Sequence, residues 1–348
     1  MKTLVNTIAF VILTLLACKT GFAAKDAEFT REIKKEFTVN PDARLVLENK
    51  YGDIRISATD QNKVSVQVLI TVDARDLESA VKIFEKVKIQ FNNTADLVEA
   101  RTQIADDFKV KGQFSIDYTI SMPVTMSLDA DNKFGDVITG EIGGKAKVRV
   151  GYGNLEMTRL SNSDNLIDVR FGKSNIEWIK GAVMILKYSD FEGEYAGSLN
   201  LNSQYSNFRS GKVIALDATF EGGNLDLESA SVVACKSRFS DISIGTLDQK
   251  LDLTNNYGSF EIEQIPSGFT SVTVTNSYGN IDLGISSSAS YNLEADMHYC
   301  NLEYDGSKAN FSYLNDSSHD QQIRGSIGTN PTGTVKVSSN YGNVDLTN

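Results

Sequence analysis

The sequence predicts an all-β fold. Its body is a single-chain parallel β-helix (a β-solenoid, expected to be right-handed) of 17–21-residue rungs, behind an N-terminal α+β cap with one amphipathic helix. Three observations carry this reading. First, a motif of aromatic, small residue, Asn or Asp, apolar, any, apolar recurs about a dozen times. Its clearest copies are Tyr51-Gly52-Asp53-Ile54-Arg55-Ile56, Tyr152-Gly153-Asn154-Leu155-Glu156-Met157, Tyr278-Gly279-Asn280-Ile281-Asp282-Leu283 and Tyr341-Gly342-Asn343-Val344-Asp345-Leu346. Second, the aromatics keep a short period from Phe134 through Tyr152, Phe171, Tyr188, Tyr205, Phe220, Phe239, Tyr257 and Tyr278 to Tyr299. Such self-similarity marks stacked repeats. Third, apolar and polar residues alternate on both sides of each motif, as in half-buried strands.

The elements follow in order. Residues 1–23 read as a signal peptide: Lys2, an apolar run from Leu4 to Ala17, then a short polar exit. Gly21-Phe22-Ala23 suits simple cleavage, the outcome preferred here, while Leu15-Leu16-Ala17-Cys18 resembles a lipobox that would make Cys18 a lipid anchor. No later stretch is apolar for the ~20 residues a membrane helix needs, so no transmembrane segment is expected in the mature chain. Residues 24–128 form the cap. Phe29–Val39, Leu45–Ile56, Lys63–Val72, Lys88–Phe91, Leu97–Ile104 and Phe114–Met122 read as strands. Between them Leu77, Ala80, Val81, Phe84 and Val87 share one face of a helix over 76–88, with Asp76 as N-cap. Terminal units of a repeat stack are expected to be atypical because they cover its open end.

Residues 129–348 are the repeats. In Val148, Val150, Tyr152 and Leu251, Leu253, Asn255, Tyr257 the ring keeps parity with the aliphatics, so the strand period places it inside. A structural ladder of Tyr152, Phe171, Tyr188, Tyr205, Phe239, Tyr257, Tyr278, Tyr299 and Tyr341 is therefore expected in the core, with rungs ~4.8 Å apart. Asn49, Asn132, Ser203, Ser237, Asn255 and Asn276, two residues before a ring, are expected inside as a short amide ladder. Gly, Ser or Cys after the ring calls for smallness at a tight corner, and the Asn or Asp that follows reads as a turn former. Tyr299 to Tyr341 is two periods with one copy worn away. Nothing follows the last repeat in the sequence, so its edge is expected to be uncapped and open to self-association with a second copy.

Chemistry is sparse. The formal charge is −11 with no lysine or arginine cluster, which argues against nucleic acid. No cofactor or metal is expected. His298 and His319, the two histidines, are expected to be exposed and too few for a catalytic triad or a multi-histidine metal site. Cys235 and Cys300 are expected as free thiols, three rungs apart and too distant for a disulfide. The outward position after the turn is often acidic, and Glu261, Asp282 and Glu303 are read as successive rungs of an acidic stripe. That stripe is foremost a solvated face. It could otherwise face a cation or basic ligand, or line a glycosidase or lyase cleft.

The export signal, Ile120-Ser121-Met122-Pro123-Val124 leading into the repeats, and the iterated Tyr-Gly-Asn units together resemble the bacterial exported "putative adhesin" domains of unknown function common in Bacteroidetes-type genomes. The likeness spans about Phe37 to Asn348. It implies a β-helix and transfers no site residues. The expected protein is non-enzymatic: an exported, adhesin-like binding or scaffold protein of the cell envelope, periplasmic or surface-associated, with an unidentified protein or glycan ligand. The alternative is a carbohydrate-active β-helix enzyme using the outward carboxylates.

Overall fold

The computed structural model describes residues 10–12, 27–317 and 319–347. Among these, strands dominate, with one α-helix, Leu77–Glu85, and one 3-10 turn, Gly306–Lys308. The fold is all-β. It divides into two compact units, residues 1–176 and 177–348. The expected signal peptide and Cys18 lie outside the described residues except for Phe10–Ile12, a short strand antiparallel to Glu32–Lys34.

In the first unit Ala27–Thr38, Lys63–Ala74 and Phe114–Pro123 pair antiparallel, with Lys63–Ala74 in the middle. Its alternation buries Val64, Val66, Val68, Ile70 and Val72 completely. The helix begins where Asp76 accepts a 2.8 Å bond from the Ser79 N–H, an N-cap that satisfies one of the free first-turn donors. It buries Ala80 and Phe84 but leaves Leu77 and Val81 exposed. It ends at Glu85 rather than 88 because Val87 already opens the strand Val87–Thr94, antiparallel to Leu97–Ile104.

Parallel pairing starts at the first motif. Arg44–Asn49 lies between Leu97–Ile104 and Ser127–Phe134, and Ile54–Thr59 lies between Phe114–Pro123 and Val137–Ile142. Ala146–Tyr152 then pairs with both Ser127–Phe134 and Asn165–Arg170, and Val137–Ile142 with Leu155–Leu160. The register sets motif on motif. Leu45, Leu128 and Ala146 form one buried row, and Ile54, Val137 and Leu155 another.

In the second unit Asp190–Gln204 runs parallel to the start of Asn207–Asn256 at a 17-residue step. Ser271–Ser277 and Phe260–Ile265 pair parallel to later parts of that same strand, and Ile281–Ile285 to Phe260–Ile265. Then sequence order and spatial order part. Gly333–Asn340 sits between Ser271–Ser277 and Tyr291–His298, parallel to both. Val344–Asp345 likewise sits between Ile281–Ile285 and Leu302–Glu303. The Tyr341 copy therefore stands between the Tyr278 and Tyr299 copies.

Two expectations are corrected here. The 42 residues from Tyr299 to Tyr341 hide no worn copy. Between them Ala309–Asp316 and Asp320–Ile327 form an antiparallel hairpin, and Asp320–Ile327 pairs antiparallel with the far edge of Tyr291–His298. Nor is the last repeat an open edge: its strands have neighbours on both sides, and the hairpin covers the stack beyond Tyr291–His298.

Candidate functional site: an exposed aromatic ladder

The motif rings stack on one another, but outside the core. In the first unit Tyr51, Phe134, Tyr152 and Phe171 stack in turn, with centroids 5.3, 5.2 and 4.9 Å apart. In the second, Tyr188 stacks on Tyr205 at 5.2 Å. Phe239, Tyr257, Tyr278, Tyr341 and Tyr299 follow at 5.2, 4.8, 5.1 and 5.1 Å. His319 closes the series edge-on against Tyr299. From Tyr152 to Tyr341 these rings are 47–58% exposed.

The inward placement expected from parity is thus corrected, and the backbone gives the reason. Phe171, Tyr188, Tyr205, Phe239, Tyr257, Tyr278, Tyr299 and Tyr341 all have φ between +50° and +58°. In the Tyr51, Phe134 and Tyr152 copies the following glycine takes the positive φ instead. Either way the chain leaves strand geometry at the corner, and the period-two rule stops one residue short of the ring. The swap also explains which small residue is allowed. Where the ring carries the left-handed twist, the next residue need not be glycine for its φ, and Ser or Cys stands there in other copies. At Gly279 even a β-carbon would stand 1.9 Å from the Gly258 carbonyl oxygen, so that corner admits glycine alone.

Polar residues lock the same corner. Two positions before the ring, the side chains are buried and form a chain of hydrogen bonds. Ser237 Oγ donates to Asn255 Oδ1 at 2.6 Å, Asn255 Nδ2 to Asn276 Oδ1 at 3.1 Å, and Asn276 Nδ2 to Ser339 Oγ at 3.0 Å. Asn255 and Asn276 also donate to the carbonyls of Gly258 and Gly279, 2.7 and 2.6 Å away. The Asn and Asp residues after the small residue do more than form turns. Asp53 accepts from the Asp136 N–H, Asp136 from Asn154, Asp241 from Ser259, and Asn343 from Asn301. Each ties its rung to the next. The bonds from Ser259, backbone first, hold the Asp241 carboxyl below its ordinary value.

The ladder presents ring edges, because the faces are spent on neighbouring rings. Cations approach several members: Lys50 Nζ is 5.5 Å from the Tyr51 ring centre, Lys133 Nζ 5.4 Å from that of Phe134, and the Arg238 guanidinium 4.9 Å from that of Phe239. Phe220, read as a copy of the motif, does not hold its corner position. It pairs with Ser203 and is buried, and Gly222 holds the corner position.

Glu261, Asp282 and Glu303 all face outward, but they are not three successive rungs. Glu261 pairs with Asp282, Asp282 with Asp345, and Asp345 with Glu303. Inserting the last repeat makes the row four acids long. Among the described residues no three His, Cys, Asp or Glu are grouped to hold a metal ion. Cys235 and Cys300 are free. Burial pushes the Cys235 thiol up to about 12, and Cys300 Sγ donates to the Ser339 carbonyl at 3.3 Å. His298 is partnered, its Nδ1 2.6 Å from Asp320 Oδ1.

Two features escaped the sequence reading. Trp178 stacks on Tyr195 at 5.5 Å, away from the motif corners. On the first unit a cavity of about 270 Å³ is walled by alternating charges. There Asp129 takes ion pairs from Arg44, Lys147 and Arg149, and Arg101 pairs with Glu48 and Glu99. Burial raises the nearby Asp131 carboxyl, with Arg149 opposing. Outward strand positions of opposite sign on adjacent rungs are the signal, and only the parallel register brings them together.

No family model matches the chain, and no curated protein matches it. Among solved structures the chain is similar to a "putative adhesin" from Bacteroides fragilis NCTC 9343, at 16% identity over 72% of this chain and 95% of that one, TM-score 0.33. It is similar to another from Parabacteroides merdae ATCC 43184, at 12% identity over 90% and 95%, TM-score 0.29. A "putative lipid binding protein" from Parabacteroides distasonis ATCC 8503 matches at 14% identity over 72% and 95%, TM-score 0.32. The two adhesin structures carry the same description as the group the sequence resembles. Among the described residues no helix is long and apolar enough to cross a membrane.

Proposed function

We propose that this chain is a non-enzymatic binding or scaffold protein of the bacterial envelope that engages a protein or glycan through its aromatic ladder. In this reading residues 1–23 are an export signal and 24–128 a cap. Residues 129–348 coil as a parallel β-solenoid, and the mature protein sits in the periplasm or at the surface, anchored through Cys18 if that cysteine is lipidated. The supporting observation is the cost of the ladder. A left-handed backbone at a bulky residue costs roughly 1–2 kcal/mol, and eight rings adopt it. Stacking returns about 0.5–1.5 kcal/mol per pair, yet the rings stay half-exposed rather than serving the core. Local strain combined with runs of stacked, half-exposed rings supports an interaction site.

The test is an array of glycans and peptides probed with labelled protein, alongside a variant with Tyr257, Tyr278 and Tyr341 all changed to Asn, which tolerates the left-handed backbone. Loss of array binding with retained folding is the expected result. The competing reading, a glycosidase or lyase acting through Glu261 and Asp282, draws on the four-acid row. Turnover of an array glycan that disappears in Glu261→Gln or Asp282→Asn would replace the binding proposal with that one.

A further inference from the structure

The ladder of the second unit is interrupted at one rung. Ser203 pairs with Phe220 and Gln204 with Glu221, and the Tyr205 N–H donates to the Glu221 carbonyl at 2.9 Å. The next residue, Gly222, thereby takes the ring position, with the left-handed φ of +73°. The following step is again 17 residues: a β-carbon on Gly245 would meet the Glu228 carbonyl, and Ser231 bonds Asp248. Gly222 is thus followed by Phe239. Tyr205 stacks on Tyr188 and Phe239 on Tyr257. Between these two rings the corner position bears no side chain; the Tyr205 ring borders it on one side, and on the other stands Phe239, with the Arg238 guanidinium 4.9 Å from its ring centre.

The notch has the dimensions of one ring. Two rung steps span about 10 Å, and offset-stacked rings sit with centroids about 4.5–7 Å apart. A guest ring midway would meet both walls at the ~5 Å spacing the ladder itself uses. Tyr205 leans over the bare glycine, its Cδ1 2.9 Å from where a β-carbon would stand. Tyr205 is already stacked on Tyr188 within 13°, so an entering ring must shift the Tyr205 side chain to seat itself. The guanidinium of Arg238 lies 4.9 Å from the Phe239 ring centre, and Glu221 precedes Gly222 on the same edge, so a polar tip on the guest would meet charged groups.

We infer that the Gly222 notch is a binding site for an aromatic side chain of a partner polypeptide, which inserts between Tyr205 and Phe239 and supplies the ring this rung lacks. The inference rests on the ladder being a binding surface and identifies what one rung of it takes. The repeat itself argues for a flat aromatic guest over a sugar, since Tyr or Phe occupies this position in the rungs on either side.

The test is saturation-transfer NMR on the full chain with two probes, N-acetyl-L-tyrosinamide and methyl β-D-glucopyranoside. Variants are Gly222→Tyr, which fills the notch, and Phe239→Ala, which removes a wall. The tyrosinamide ring protons should receive saturation from the native protein, with affinity about tenfold weaker in each variant, and the glucoside should show no such difference. Tyrosinamide binding unchanged in both variants overturns the inference. So does a glucoside signal that the variants abolish, which would make the notch a sugar site. If Gly222→Tyr fails to fold, Phe239→Ala decides alone. Array binding that is lost in the Tyr257, Tyr278 and Tyr341 variant but unchanged in Gly222→Tyr would sink the notch and leave the ladder proposal standing. Glycan turnover removed by Glu261→Gln would sink the ladder proposal first.

Discussion

Tyr257 condenses the energetics of the corner. Its ring is sandwiched between Phe239 and Tyr278, while its backbone sits at φ +58°. Truncation separates the two effects. Tyr257→Ala should lose both stacking contacts and keep the left-handed penalty, whereas Tyr257→Gly loses the contacts and sheds the penalty. Urea unfolding should therefore find the glycine variant more stable than the alanine variant by about 1 kcal/mol. The reverse order would mean the left-handed corner is not held in solution. Inside the same corner, Asn276 is buried and bonded to Asn255, Ser339 and the Gly279 carbonyl. Asn276→Ala leaves those partners buried without it and should cost about 2–3 kcal/mol by the same measurement. A loss under ~0.5 kcal/mol would show that water replaces the amide without cost. The inward Asn was legible in the sequence because it lies within the strand, where parity holds. The outward ring was not, since a single left-handed residue reverses the face and period-two patterning has no term for it.

At the scale of elements, the strands were legible and their order was not. Lys63–Ala74 and Tyr291–His298 announce themselves by alternation, which is a local property. That Gly333–Asn340 lies between Ser271–Ser277 and Tyr291–His298 depends on which edges meet, and all three strands carry the same interchangeable pattern. The 21-residue step from Tyr278 to Tyr299 fits direct neighbours as well as it fits neighbours with a strand between. Hydrogen exchange distinguishes the two arrangements. In the inserted position Gly333–Asn340 is flanked by a strand on each side, and the amides of Val335 and Val337 should exchange only through global unfolding. Those of the outer hairpin strand, Ala309–Asp316, should exchange orders of magnitude faster. Fast exchange at Val335 would place the last repeat at an edge and reopen the route to self-association.

For the whole molecule the governing quantity is charge, formally −11, and the insertion concentrates part of it. Glu261, Asp282, Asp345 and Glu303 form an unbroken row of like charges at ~4.8 Å intervals. Directly opposed like charges destabilise paired strands by some tenths of a kcal/mol each. Asp282→Asn relieves two such contacts and should stabilise the protein by about 0.5 kcal/mol at low ionic strength. The gain should vanish near 1 M salt, where the Debye length is about 3 Å. That outcome belongs to a solvated face. A row that holds a cation behaves oppositely: millimolar calcium at constant ionic strength would raise the melting temperature of the native protein by mass action, and Asp282→Asn would abolish the rise. Thermal unfolding of both proteins with and without calcium therefore assigns the row, and a calcium-dependent shift in the native chain alone would make the acidic row a cation site rather than a solvated face.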